Sequence, residues 1–340
     1  MKKRPRPPPP PGQSRRVASN TADARWLAAA AALAERARPT SRPNPAVGAI
    51  IVRDGVVLGR GWTQPGGRPH AEAMALAQAG PAAKGATLYV TLEPCAHDSA
   101  RGPSCSSLVA AAGLGRIVCG VEDPDPRTAG SGLAALRAAG ITATCADDPA
   151  CRESLAGYLA QRTLGRPQVT LKLALSLDGC IATAQGESQW ITGPEARAHG
   201  HRERARADAI LVGGGTLRAD SPRLDVRLPG LADRSPERLV LSSGKAPDGW
   251  TALAAPAAIR DCRDLQYLFI EGGAATAAAF LAADLVDRLL LYRAPILIGG
   301  GKPAIGDIGL GTLSAAHGRW ALQDRRTLGA DTLEIFTRTR

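Results

Sequence analysis

Four residues in the first third of the chain have the types that a hydrolytic metal centre uses: His70, Glu72, Cys95 and Cys105. His70-Ala71-Glu72 opens a run of helical character, and i, i+2 spacing does not put two side chains on one helix face, unlike an i, i+4 pair. Both reach a common point only beside the helix N-terminus. With His70 as a ligand, Glu72 is then a neighbour of the metal rather than a second ligand. Cys95 follows Pro94 at the end of a strand-like run, and Cys105 follows Pro103-Ser104 at the start of a helix-like one. A helix N-terminus favours the thiolate, the form that binds metal. Three N/S ligands, an open fourth position for water and a nearby carboxylate suit hydrolytic deamination. The metal lowers the pKa of water to about 7, and the carboxylate moves protons to the ring nitrogen and the departing amine.

A lone cysteine is more often a small buried hydrophobe and a lone histidine structural, so the weight rests on the combination. H-x-E followed by P-C and a second cysteine is the order of the zinc deaminases, although their usual P-C-x-x-C has two intervening residues and this chain has nine. The second half offers a different chemistry. Gly213-Gly214-Gly215-Thr216 follows "AILV", and Glu271-Gly272-Gly273 lies between "YLFI" and a helix-like run. Glycines between a strand end and a helix let backbone approach a phosphate closely, but they also serve simple turns. No G-x-G-x-x-G or Walker A motif is present.

These residues need elements to hold them. "TADARWLAAAAALAERAR" predicts a helix with Thr21 as its cap, and "AVGAIIVRDGVVLGRGW" two strands joined at Asp54-Gly55, a strong hairpin signal. "HAEAMALAQAG" predicts a helix ended by Gly80, "GATLYVTLEPC" a strand, "SCSSLVAAAGLG" a helix capped by Ser104, and "RIVCGVEDPDP" a further strand. "SGLAALRAAGITATC" reads as helix then strand. After a linker-like stretch at 161–166 the pattern restarts with the strand "RPQVTLKLALSLDG". Alternating helices and strands predict α/β layers. The expected divisions are a tail at 1–20, a first domain at 21–164 and a second at 165–340.

The net charge of +11 includes six lysines and arginines in the first sixteen residues, leaving +5 elsewhere. That tail has no apolar core segment of a signal peptide, and its proline run favours extended chain, so a solvated tail is expected rather than a nucleic-acid-binding arm. Seven cysteines form no dense framework, which predicts reduced thiols and a cytoplasmic setting. No stretch of eighteen apolar residues exists to span a membrane.

With these motifs in place, the first half resembles the pyrimidine deaminase of riboflavin biosynthesis, whose motif is close to TLEPCxHxGRTPPC. The loop here carries one extra residue. "TSRPNPAVGAIIV" is similar to the family's TSPNPxVGAVIV with an added arginine, "GWTQPGGRPHAEAMAL" to GxHxxxGxPHAEVxAL, and "VEDPDP" to its DPNP turn. Trp62 and Thr63 replace the usual aromatic–His pair. The second half, through "TLKLALSLDGCIAT", "GESQWITGPEAR", "RARADAILVGGGTLRADSPRLDVR" and "FIEGGAATAAAFL", is similar to the reductase domain of the same pathway. The resemblance covers residues 22 to 340 and points to the bifunctional RibD family.

What the resemblance implies is specific. The fold would be a cytidine-deaminase-like three-layer α/β/α domain followed by a dihydrofolate-reductase-like α/β domain. His70, Cys95 and Cys105 would hold Zn²⁺, with Glu72 as proton shuttle. Asn44, His97 and Asp123 would hold the pyrimidine ribotide, although Asn44 also suits a turn and Asp123-Pro124 a loop. Arg101 could serve the phosphate. In the second half Ala174, Trp190, Thr216 and Asp220 would line NADPH, with Gly273 at its phosphates. Ser188, Arg204, Leu224, Arg227 and Glu271 would contact substrate, the arginine forks suiting a ribose phosphate or simply a solvated surface. Cys180 stands where a lysine is common and Ser242 where an aspartate is usual, and 228–264 is compressed. The implied protein is a homo-oligomer, dimer or higher, with a small-molecule substrate and neither nucleic-acid nor membrane partners. Three alternatives remain at this level: a deaminase with a degenerate reductase half, a tRNA-editing deaminase using the tail, and a non-catalytic zinc scaffold.

Overall fold

The computed structural model describes residues 21–98 and 100–340, so the tail expected at 1–20 lies outside them. Two compact units divide the chain, one including Gly48–Gly61 and Ala71–Glu153 and the other including Ser154–Arg340.

In the first unit, α1 (Thr21–Ala34) is followed by β1 (Gly48–Arg53), β2 (Val56–Trp62), α2 (Ala71–Ala79), β3 (Thr87–Leu92), α3 (Cys105–Ala111), β4 (Arg116–Val121), α4 (Ser131–Ala138), β5 (Thr142–Cys145) and α5 (Pro149–Ser154). The sheet order is β2-β1-β3-β4-β5; β1 runs antiparallel to β3, and β3, β4 and β5 are mutually parallel. The central strands β3 and β4 are buried almost throughout, which explains their near-continuous apolar sequence. Asp54 and Gly55 both have positive φ, 51° and 78°, the geometry an Asp-Gly hairpin turn demands. On β2, a Cβ at Gly59 would lie 2.1 Å from the Ala75 carbonyl and one at Gly61 2.2 Å from that of Ala71. Only glycine lets α2, which opens beside His70 and carries Glu72, lie this close to the strand.

In the second unit, α6 (Ala156–Leu164) precedes β6 (Gln168–Leu175), β7 (Cys180–Ala182), α7 (Pro194–Arg204), β8 (Ala209–Gly213), α8 (Gly214–Asp220), β9 (Glu237–Leu241), β10 (Trp250–Leu253), β11 (Tyr267–Ile270), α9 (Ala274–Ala282), β12 (Arg288–Arg293), β13 (Lys302–Pro303), β14 (Trp320–Leu328) and β15 (Asp331–Arg338). Eight strands form one sheet in the order β10-β9-β8-β11-β6-β12-β15-β14, parallel except where β15 pairs with β12 and β14. The two-residue period of a strand sorts its side chains between two cores. Val169, Leu171, Leu173 and Leu175 of β6 pack with Phe280 and Leu281 of α9. Ile210 and Val212 of β8 share the other core with Phe269, Leu290, Tyr292 and Ala196.

Two local expectations are corrected. The stretch 161–166 is no linker: 161–164 form the end of α6, which stops at Gly165 with φ 63°. Arg166, 3% exposed, then makes a bidentate pair with Asp287 at 2.7 and 2.8 Å. Gly165 and Pro167, which stop the helix, punctuate a loop equally well, so the short helix reads as linker until its packing partner is known. Ser104 occupies the cap position of α3, but its hydroxyl meets that of Ser107 at 2.7 Å and bonds no backbone N–H as a cap.

Candidate active sites

The first site forms where β3 ends and two helices begin. The ligand atoms of His70, Cys95 and Cys105 all lie within 4.8 Å of one another. A zinc ion with bonds of about 2.0–2.3 Å would hold such atoms roughly 3.5 Å apart, so one imidazole and two sulfurs fit the group in number, chemistry and spacing. Cys105 is the first residue of α3, and its backbone N–H donates to Cys95 Sγ at 3.2 Å. The helix start therefore supports the sulfur of the other cysteine as well as its own. Cys95 beside it, burial, and Glu72 push the Cys105 thiol upward. Acids packed this closely oppose one another's ionisation, a conflict that a divalent cation reverses. Glu72, 3% exposed in the first turn of α2, hydrogen-bonds Cys105 and so stands beside the group without belonging to it.

The other expected residues of this site sit in loops. His97 is half-buried, and its Nδ1 has no hydrogen-bond partner among the described residues. Asp123 is buried, receiving the Asp125 N–H on Oδ1 at 2.9 Å. Asn44 is half-buried, packed against Gly67, and Arg101 is exposed. Sequence reasoning passed over Glu93 of "TLEPC". Its buried carboxylate accepts backbone N–H groups from Asp123, Gly130 and Leu133 at 3.2, 2.9 and 3.1 Å, which shapes the turn carrying Asp123. A carboxylate inside an apolar strand run was the available signal.

The second site is one cavity of about 690 Å³. Ala174, Ser188, Trp190, Arg204, Thr216, Asp220, Leu224, Arg227, Glu271 and Gly273, the ten residues singled out in this half, all line it. Strand period explains Ala174: it lies on the face of β6 opposite the leucines. Lys172 shares that face and also lines the cavity, a residue the sequence reading did not select. Trp190 is 64% exposed, with the Arg197 guanidinium 4.8 Å from its ring centre. Gly273 caps α9 and faces Thr216 of α8. Arg204 donates to Glu271 at 2.6 and 3.0 Å and to the Asp225 carbonyl at 3.0 Å, while Lys172 Nζ lies 3.6 Å from Glu271. Burial alone would raise the Glu271 carboxyl; Lys172 and Arg204 overcome it and lower it to about 2. Arg227 is 54% exposed in its side chain and only loosely paired, 3.5 Å from Asp225. Cys180 is buried on β7, and Ser242, just past β9, receives the Gly244 N–H.

Comparison with known proteins covers both halves. A family model described as the cytidine and deoxycytidylate deaminase zinc-binding region matches residues 20–121, and one described as the RibD C-terminal domain matches 167–333. The chain is 38% identical over 326 residues to riboflavin biosynthesis protein RibD of Escherichia coli K12, covering 82% of this chain and 89% of that protein. It is 39% identical over 312 residues to RibD of Mycobacterium tuberculosis H37Rv, covering 86% and 91%. Among solved structures, Acinetobacter baumannii RibD superimposes with a TM-score of 0.82 at 32% identity, covering 94% of this chain and 99% of that one. A diaminohydroxyphosphoribosylaminopyrimidine deaminase/5-amino-6-(5-phosphoribosylamino)uracil reductase from Thermotoga maritima also gives 0.82, at 27% identity over 93% and 99%.

Proposed function

The chain belongs to the RibD family, the bifunctional deaminase/reductases of riboflavin biosynthesis, and from that premise we propose how its residues divide the work. The first site deaminates 2,5-diamino-6-ribosylamino-4(3H)-pyrimidinone 5′-phosphate and releases ammonia. His70, Cys95 and Cys105 hold Zn²⁺, which when bound supplies the Lewis acid that brings a water's pKa to about 7. Glu72, beside Cys105 and shielded from solvent, carries the proton from the attacking water to the ring nitrogen and then to the leaving amine. His97, whose Nδ1 keeps its hydrogen-bonding capacity, binds the ribotide with Asn44 and Asp123.

The second site reduces the ribosyl side chain of the deaminated product, giving 5-amino-6-ribitylamino-uracil 5′-phosphate, with NADPH as the hydride source. Trp190, Ala174, Thr216, Asp220 and Gly273 line the cofactor; Ser188, Arg204, Leu224, Arg227 and Glu271 face the substrate. Arg204 is neutralised by Glu271, so Arg227, exposed and loosely paired, has more donors left for a phosphate. The dependence on NADPH suits a cytoplasmic enzyme, and no helix among the described residues is long and apolar enough to cross a membrane. We expect a homo-oligomer, which light scattering on the purified chain tests.

The observation that carries this reading is that the ten residues implied by the resemblance in the second half line one cavity. The diaminopyrimidine ribotide supplied with NADPH should yield ammonia first and cofactor oxidation second. Ammonia without oxidation would leave a deaminase with a degenerate second half.

A further inference from the structure

Three cysteines outside both active sites gather near the end of β4: Cys119, Cys145 and Cys151. Cys119 and Cys145 are register partners on the parallel strands β4 and β5, and their sulfurs lie 3.6 Å apart. Adjacent strands stand about 4.8 Å apart, inside the range of roughly 4.4–6.8 Å between α-carbons that a disulfide spans. The two thiols differ in surroundings. Cys119 is fully buried, its sulfur also 3.0 Å from the Val121 carbonyl, whereas Cys145 is half-exposed on the edge strand of the sheet. Cys151, buried on α5, directs its sulfur to the Leu27 carbonyl.

We propose that Cys145 and Cys119 form a peroxide-oxidisable thiol pair, with Cys145 as the attacking sulfur and Cys119 as the resolving one. The geometry assigns the roles: an oxidant reaches the edge strand, and Cys119 is the thiol that stands against the sulfur it would modify. The hydrogen bond from Cys119 also lowers the Cys145 thiol to about 7, so that much of it is thiolate near neutrality, while burial holds Cys119 as the neutral thiol. Cys145 sulfur attacks one peroxide oxygen; the S–O bond forms, the O–O bond breaks, and the departing hydroxide takes a proton to leave as water. Cys119 sulfur then attacks the sulfenic sulfur of Cys145. The S–S bond forms, the S–O bond breaks, and the hydroxyl leaves with the Cys119 proton as a second water. Two thiols are oxidised and one peroxide is reduced.

The test uses zinc-loaded, fully reduced, full-length protein treated with equimolar hydrogen peroxide, blocked with N-ethylmaleimide and digested with trypsin. The expected product joins fragments 117–127 and 138–152, with fragment ions placing the bond on Cys145 rather than Cys151. Cys145→Ser should abolish the link while bound zinc is retained. Cys119→Ser should leave a sulfenic acid on Cys145 that dimedone captures. Recovery of Cys145 as the maleimide adduct after peroxide treatment, or a link from Cys145 to Cys151, overturns the proposal.

Discussion

Replacing Glu271 by glutamine should separate the electrostatics of the reductase cavity from its shape. The side chain is 13% exposed and receives two Arg204 donors, with Lys172 3.6 Å away. Its carboxyl falls from the usual 4.5 to about 2 although burial opposes the change. At 1.36 kcal/mol per unit, the ionised group is held about 3 kcal/mol better than its neutral form. Losing one partner of a buried pair costs a similar roughly 3–5 kcal/mol, because the remaining cations stay desolvated. Glutamine keeps the shape and one acceptor but not the charge, so Glu271→Gln should lose about 3 kcal/mol at pH 7. The pH dependence fixes the sign. The folded-state pKa lies below the unfolded one, so the stabilisation is complete above about 4.5 and is lost as pH falls toward 2. Urea unfolding of both proteins from pH 7 to 2.5 should therefore show a gap that closes with acid. Reductase turnover should fall while ammonia release persists. Equal stability at pH 7, or a gap that does not change with pH, would refute the charge network.

Glu72→Gln should retain bound zinc and reduction but lose roughly 10²–10⁴-fold in deamination, read by metal analysis and ammonia release; loss of zinc would make Glu72 a ligand instead. At Gly272 an added Cβ would lie 2.6 Å from Thr276 Cβ on α9. Gly272→Ala should cost about 1–3 kcal/mol and raise the KM for NADPH, with an unchanged KM counting against a cofactor role for this turn. Burial keeps His199 neutral, with its pKa lowered to about 4. Between about 6.5 and 4 the unfolded chain takes up a proton that the folded one refuses, so stability should fall with pH by about 3 kcal/mol. Urea midpoints should show this slope, and His199→Gln should flatten it.

Much of the architecture was local and could be read from the chain. Asp54-Gly55 makes its hairpin because both residues tolerate positive φ, and the alternation in "TLKLAL" encodes which face of β6 is core. The His-x-Glu and paired-cysteine pattern is likewise local, since a strand end and two helix starts each present one part of it. What the chain alone left open depends on which distant groups meet. Lys172 looks like one polar residue in a strand until Glu271, ninety-nine positions later, stands 3.6 Å away. Arg204 looks like a phosphate ligand until the same carboxylate claims its fork. Arg166 looks like part of a solvated linker until Asp287 pairs with it in a buried position. Sequence by itself determined residue types, strand faces and the two chemistries available. Only the tertiary structure decided which charges are already satisfied, because a charge's partner and its share of solvent are properties of the packed chain.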